Sequence, residues 1–206
     1  MYSKTEERWN AGSHALGAVL GVIGLFLLLI DDTHKTTYST LSILAYSFSL
    51  ILLFTASTMY HSIQGIKRKS NLRKLDHISI YFLIAGTYTP VCLISLIDNK
   101  GWLLFYIVWG ITAFGTVLKI FFTGKFEAIS LVLYAVMGWL IVLDWDAMST
   151  IHSNTGNGLL MLGGAFYTIG IIFYAVKKIP YNHIIWHFFV LGGAISHFWF
   201  IWKHVI

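Results

Sequence analysis

Two histidines four residues apart, in His183-Ile-Ile-Trp-His187, carry the clearest chemical signal in this 206-residue chain. On a helix that spacing stacks both imidazoles on one face, which is how a single helix gives two nitrogen ligands to one Zn²⁺. His61 could add a third nitrogen, completing the ligand set of a catalytic zinc whose fourth position is left for water. Bound zinc lowers the pKa of that water to about 7. Asp76 could then serve as the base on the water, or it could ligate the metal itself; the sequence leaves both open. Ser57, four residues before His61, could orient a ligand or stabilise an oxyanion. Each residue also has a plainer reading. His61 suits an interfacial hydrogen-bonding histidine, Asp76 a helix N-cap, and the histidine pair lacks the glutamate of the soluble zinc-protease motif. What decides between the readings is whether the elements bring these residues together.

The chain is 57% hydrophobic, with 14 Lys+Arg against 9 Asp+Glu. Charged residues make up 11%, less than half of the roughly 25% usual in soluble domains. So few charges cannot cover a soluble surface, and disorder requires the opposite balance. A bilayer-spanning helix needs about 20 mostly apolar residues. Seven runs of that kind lie near 12–30, 40–61, 76–97, 101–122, 127–145, 156–176 and 183–203. The sequence therefore predicts an all-α membrane protein, a single seven-helix transmembrane domain over residues 1–206. The first run is long, contains His14 and ends at Asp31-Asp32 without a small-residue cleavage pattern, so it reads as a retained span. One cysteine, Cys92, permits no intrachain disulfide.

Basic residues give the direction. With the N-terminus cytoplasmic, the inside segments hold Lys4, Arg8, Lys67, Arg68, Lys69, Arg73, Lys74, Lys119, Lys125, Lys177 and Lys178; the outside segments hold only Lys35, Lys100 and Lys203. Eleven against three is a strong positive-inside bias, and it predicts an N-terminus in the cytoplasm and a C-terminus outside, in the cell membrane. The net charge of +5 then orients the chain in lipid, and no nucleic-acid partner is expected. That orientation delivers His61 from the end of span 2, Asp76 from the start of span 3, and His183 and His187 from the first turns of span 7 to one leaflet, the cytoplasmic one. Ionisable groups in apolar spans are costly and mark function by default. His77 points about 100° away from Asp76 and reads as a packing or interface residue. His197 lies about 15 Å beyond His187 along the helix and reads as a buried hydrogen-bonding group. Gly17-x-x-x-Gly21, Gly163-Gly164 and Gly192-Gly193 suit close helix contacts, and Gly86 and Pro90 a bend in span 3.

Four separated motifs in order, Glu7-x-x-Asn10-x-x-x-His14, Ser57-x-x-x-His61, Lys74-Leu75-Asp76 and His183-x-x-x-His187, resemble the progestin and adipoQ receptor family. Short loops and small size are most similar to its bacterial hemolysin III branch. The resemblance covers essentially the whole chain. It implies a zinc site near the cytoplasmic face, with His61, His183 and His187 as ligands, Asp76 contacting the metal's water and Ser57 beside it. It leaves Glu7, Asn10 and His14 without a defined role; they are expected to tie the N-terminal segment over the site. Because the wider superfamily includes alkaline ceramidases, the resemblance implies hydrolysis of a lipid amide or ester, with membrane lipids as substrate or ligand and a role in membrane-lipid homeostasis. Two other functions stand beside it: a pore-forming cytolysin, as the branch name implies, and a sensor or receptor with a structural zinc. The oligomeric state, including a homo-oligomer, stays open. A retinal protein is disfavoured because span 7 has no lysine before Lys203 to form a Schiff base.

Overall fold

The computed structural model describes residues 3–206. Its helices are α1 (Lys4–Ile30), α2 (Ser39–Ser62), α3 (Ile66–Pro90), α4 (Gly101–Phe122), α5 (Glu127–Trp139), α6 (Trp145–Ile151), α7 (Asn154–Ala175) and α8 (Asn182–Phe200). A π turn, Val91–Ser95, continues α3, and another, Ile201–Val205, continues α8. A 3₁₀ segment, Leu140–Asp144, joins α5 to α6 in one span. Among the described residues, seven helices are long and apolar enough to cross a membrane, as the apolar runs predict. Helix α3 starts well before the apolar onset near 76, because its first two turns, Ile66-Lys-Arg-Lys-Ser-Asn-Leu-Arg, are helical but charged.

The bundle is apolar on the outside, and within it buried small and polar residues sit among a hydrophobic core that includes Ile43, Phe54, Tyr81 and Phe200. Helix α1 shows it best: Asn10, Ser13, His14, Gly17, Gly21 and Gly24 are buried, while Leu16, Val19, Ile23 and Phe26 are exposed. Lipid tails are as apolar as leucine, so burying leucine yields little in a bilayer, and close packing and polar contacts hold the helices instead. Glycines supply the closeness. A side chain at Gly17 would meet the Phe54 ring of α2, one at Gly86 would meet Ser49, and one at Gly163 would meet the His197 ring. Helix α1 begins in a capping box, with Glu6 N–H donating to Ser3 Oγ at 3.2 Å and Ser3 N–H to the Glu6 carboxylate at 2.7 Å.

Breaking the fifth span frees backbone groups that lipid cannot satisfy. Tyr88 of α3 serves both sides of the break: its hydroxyl donates to Gly138 O at 3.2 Å and accepts from Ile141 N–H at 2.9 Å. Pro90 is followed by the π turn, where the sequence suggested a bend.

Polar bonds tie the two ends of the bundle. At one end, Lys35 Nζ donates to Val205 O, Thr36 Oγ1 to Leu93 O, Trp202 Nε1 to Asp31, and Lys100 N–H to Asp144. At the other, Lys69 binds Glu7 at 2.7 Å, and Glu127 receives Lys119 at 2.9 Å and Arg73 at 3.3 Å. The candidate chemistry sits at this second end.

Candidate metal centre

The last turns of α2 carry Ser57 and His61, and the first turns of α8 carry His183 and His187. Tyr181, with φ +56°, lets the chain turn directly into α8. Both histidines of the i, i+4 pair face inward, His183 8% and His187 2% exposed. Three ring nitrogens converge: His183 Nε2 lies 3.3 Å from His61 Nε2 and 3.2 Å from His187 Nε2. One ligand atom from each of the three histidines lies within 4.8 Å of the others.

The opposite nitrogens set the tautomers. His61 Nδ1 is 2.6 Å from the Glu7 carboxylate, which as an ionised group only accepts, so Nδ1 carries the proton and Nε2 the lone pair. His187 Nδ1 donates to Asn10 O at 3.2 Å, which again leaves Nε2 as an acceptor. Two imidazole lone pairs thus face His183 Nε2 in one buried site, an arrangement that a cation held among the three nitrogens would satisfy. Zinc–nitrogen bonds of about 2.0–2.1 Å in tetrahedral geometry set neighbouring ligands about 3.3 Å apart, the spacing seen here. The donor set therefore fits a divalent metal, and nitrogen donors suit zinc among several transition ions. A histidine bound through one nitrogen and held by a carboxylate or carbonyl at the other is the usual outer-shell arrangement of such sites.

The remaining sequence-derived residues gather round this centre. Asp76 lies outside the three-histidine group, and the Ser57 hydroxyl faces its carboxylate. Asp76, Ser57, His183 and His187 line one cavity of about 540 Å³. His14 stacks on His187, ring centroids 3.8 Å apart and 19° from parallel, and it also lines the cavity. Glu7, Asn10 and His14 thus each touch a ligand histidine from α1. His197 is a buried hydrogen-bonding group, with Nε2 donating to Leu160 O at 3.1 Å.

The cavity is walled largely by α3, α5, α7 and α8, and His14 of α1 and Leu53, Ser57 and Tyr60 of α2 also line it. It runs from Arg73, Asp76 and Lys177 at one end past Leu83, Ile84 and Val190 to Trp139 and His197. On one flank Trp139 Nε1 of α5 donates to Thr168 Oγ1 of α7 across the cavity edge. His77, which the sequence suggests for packing or an interface, also faces the cavity. Its Nδ1 lies on Arg73 O at 2.7 Å and its Nε2 3.3 Å from Tyr174 OH. Sequence reasoning missed Arg73, Tyr174 and Lys177 as part of this wall. Arg73 was within reach of it, since it lies three residues before Asp76 and so on the same helix face.

Comparison with known proteins agrees with this fold and these motifs. A family model described as Haemolysin-III related matches residues 2–198. The Hemolysin-3 of Bacillus cereus is 41% identical over 205 residues, covering 98% of this chain and 92% of that protein. The Hemolysin-3 homolog of Bacillus subtilis (strain 168) is 41% identical over 199 residues, covering 96% and 93%. The human Monocyte to macrophage differentiation factor, of the progestin and adipoQ receptor type, is 29% identical over 210 residues, covering 97% and 84%. No solved structure matches the chain. Seven apolar helices, the ordered motifs and a match along nearly its full length make this chain a multi-pass membrane protein that belongs to the Haemolysin-III related family.

Proposed function

We propose that the protein is a metal-dependent hydrolase of the cell membrane, acting on a lipid amide or ester from the cytoplasmic leaflet. The observation that carries this reading is a three-histidine nitrogen cluster whose His183 and His187 line a cavity that the Asp76 carboxylate also lines. A structural zinc would normally be closed by four protein ligands, whereas a catalytic one has three. His61, His183 and His187 would hold the ion. Zinc, when bound, supplies the Lewis acidity that makes water nucleophilic near neutral pH and polarises a carbonyl.

The chain's own groups do the rest. Asp76 takes the proton of the attacking water and returns it to the leaving amine or alcohol. Ser57 holds the Asp76 carboxylate toward the cavity. Glu7 and the Asn10 carbonyl keep His61 and His187 in the tautomer that binds through Nε2. The apolar cavity wall accepts an acyl chain, and the edge bridged by Trp139 and Thr168 gives it a lateral way in from lipid. The charge distribution supports a cytoplasmic position for the metal end.

The test is metal analysis of the purified protein alongside fatty-acid release from lipid extracts. Zinc near one equivalent is expected, with turnover reduced at least about a hundredfold in His187→Ala, as loss of a metal ligand removes the electrophile. Metal-free wild type, or His187→Ala with unchanged turnover, would overturn the reading. The printed names of the Bacillus relatives favour a second reading, a cytolysin. It is supported if erythrocyte lysis survives His187→Ala undiminished.

A further inference from the structure

The cavity has two chemically different ends, and the charged one is not needed to hold an acyl chain. Past Asp76 the α3 wall is Ile80, Leu83 and Ile84. Before Asp76 it is Arg73, and across from it on the stretch after α7 is Lys177, which also lines the cavity and is exposed at its mouth. Of the two carboxylates at this end, Asp76 and Glu127, Glu127 already has both oxygens engaged: Oε2 by buried Lys119 at 2.9 Å and Oε1 by Arg73 at 3.3 Å. Arg73 commits Nη2 to that contact, while a guanidinium carries five donors.

Lys177 has no carboxylate within ion-pair distance among the described residues. Its ammonium lies 4.3 Å from the centroid of the Tyr174 ring. Burial, and then the charge of Arg73, hold its pKa below the usual lysine value. Three cations at this end, Arg73, Lys119 and Lys177, stand against two carboxylates, Glu127 and Asp76, which leaves a surplus of one positive charge. An anion would relieve it.

Arg73 precedes Asp76 by three residues, about 4.5 Å of helical rise. A group held at the mouth is therefore about one helical turn from the Asp76 carboxylate, in a cavity that His183, His187 and the apolar wall also line. We propose that Arg73 and Lys177 form a headgroup site for an anion, so that the ligand is a single-chain amphiphile whose carboxylate or phosphate lies a few bonds from its acyl carbonyl. An N-acyl amino acid and a lysophosphatidate both have that layout. The position of the acyl bond rests on the hydrolase reading; the anion site does not. Hydrolysis of such a ligand adds one water. An O–C bond forms, the C–N or C–O bond breaks, a proton passes to the leaving amine or alkoxide, and a fatty acid and the free anionic headgroup result.

The experiment measures binding and turnover separately on the full-length, zinc-loaded protein in nanodiscs. For binding, three ligands that cannot be hydrolysed share one chain: hexadecyl phosphate, hexadecanoate and a neutral hexadecyl glycerol ether. The expected result is that at least one anion binds about a hundredfold tighter than the ether, since each of two charge-assisted bonds carries about tenfold. Raising salt should weaken the preference. It should fall to about unity in Arg73→Gln/Lys177→Gln and drop by about tenfold in Lys177→Gln alone, with Lys177→Arg restoring it. The ranking of the two anions names the headgroup.

Arg73→Gln breaks an ion pair and could fail to fold, but Lys177→Gln breaks none and keeps the test alive. Equal binding of the ether, a preference that survives the double variant, or inorganic phosphate competing as well as hexadecyl phosphate would each overturn the proposal. For turnover, N-palmitoyl glycine and lysophosphatidate are compared with monopalmitoylglycerol. Anion preference in binding without fatty-acid release from any of them overturns the hydrolase reading and leaves the headgroup site standing.

Discussion

At the scale of single residues, the centre depends on which nitrogen of each imidazole carries the proton. Glu7 fixes this for His61 through a 2.6 Å hydrogen bond and is itself held by Lys69 at 2.7 Å. Glu7→Gln keeps the shape of the side chain but removes the charge that makes it an acceptor alone. It should weaken metal affinity by about 10–100-fold, as loss of such outer-shell partners does. Competition with a chelator of known affinity measures this, and an unchanged affinity would show that Glu7 serves only to anchor α1. The pairing of the three histidines was open to inference from sequence because helical spacing and the positive-inside rule act on types and positions alone. The partner of each remote nitrogen was not. Glu7 reaches His61 only because Gly17 lets α1 lie against Phe54, a packing fact that no spacing in the chain reveals.

At the scale of elements, hydropathy finds the spans and misses where they bend or extend. The fifth span breaks within Leu140-Ile-Val-Leu-Asp144, which holds no glycine or proline and is as apolar as the helix before it. What permits the break is a hydroxyl on another helix. Tyr88→Phe leaves the Ile141 N–H without its acceptor and should cost about 1–3 kcal/mol, the usual penalty for an orphaned buried donor. Thermal unfolding in detergent reads it, and a melting temperature equal to wild type would show that the backbone repairs itself. Helix α3 shows the converse. Its charged opening turns look like a loop on a hydropathy scale, yet they carry Arg73 on the same helix as Asp76 and so build the cavity mouth.

At the scale of the whole molecule, the asymmetry of charge matches an asymmetry in where the candidate residues lie. Lys35, Lys100 and Lys203 mark one end, where backbone and side-chain hydrogen bonds tie the loops; the other eleven basic residues mark the end with the histidines and the cavity mouth. If that second end is cytoplasmic, single cysteines placed in a Cys92→Ser background will report it. Lys178→Cys should react with a membrane-impermeant maleimide only after the cells are opened, and Lys100→Cys in intact cells. The reverse pattern would put the candidate centre on the outer face and remove the cytoplasmic leaflet from the proposed function. The seven spans and the end that carries the chemistry were legible because both follow from sums over many residues. The cavity was not, since it depends on how α3, α5, α7 and α8 sit around one another.

The Tyr88 hydroxyl has a bearing on the order in which the protein is made. Helix α5 alone has 13 residues, about 20 Å of helix, too short to cross a bilayer core of about 30 Å. The span is completed only through a turn whose backbone groups are met from α3. Chains emerge N-terminus first, so Tyr88 is already in the membrane when Leu140 leaves the ribosome. The fifth span need never face lipid with its break unmet, provided the earlier hairpin waits beside it.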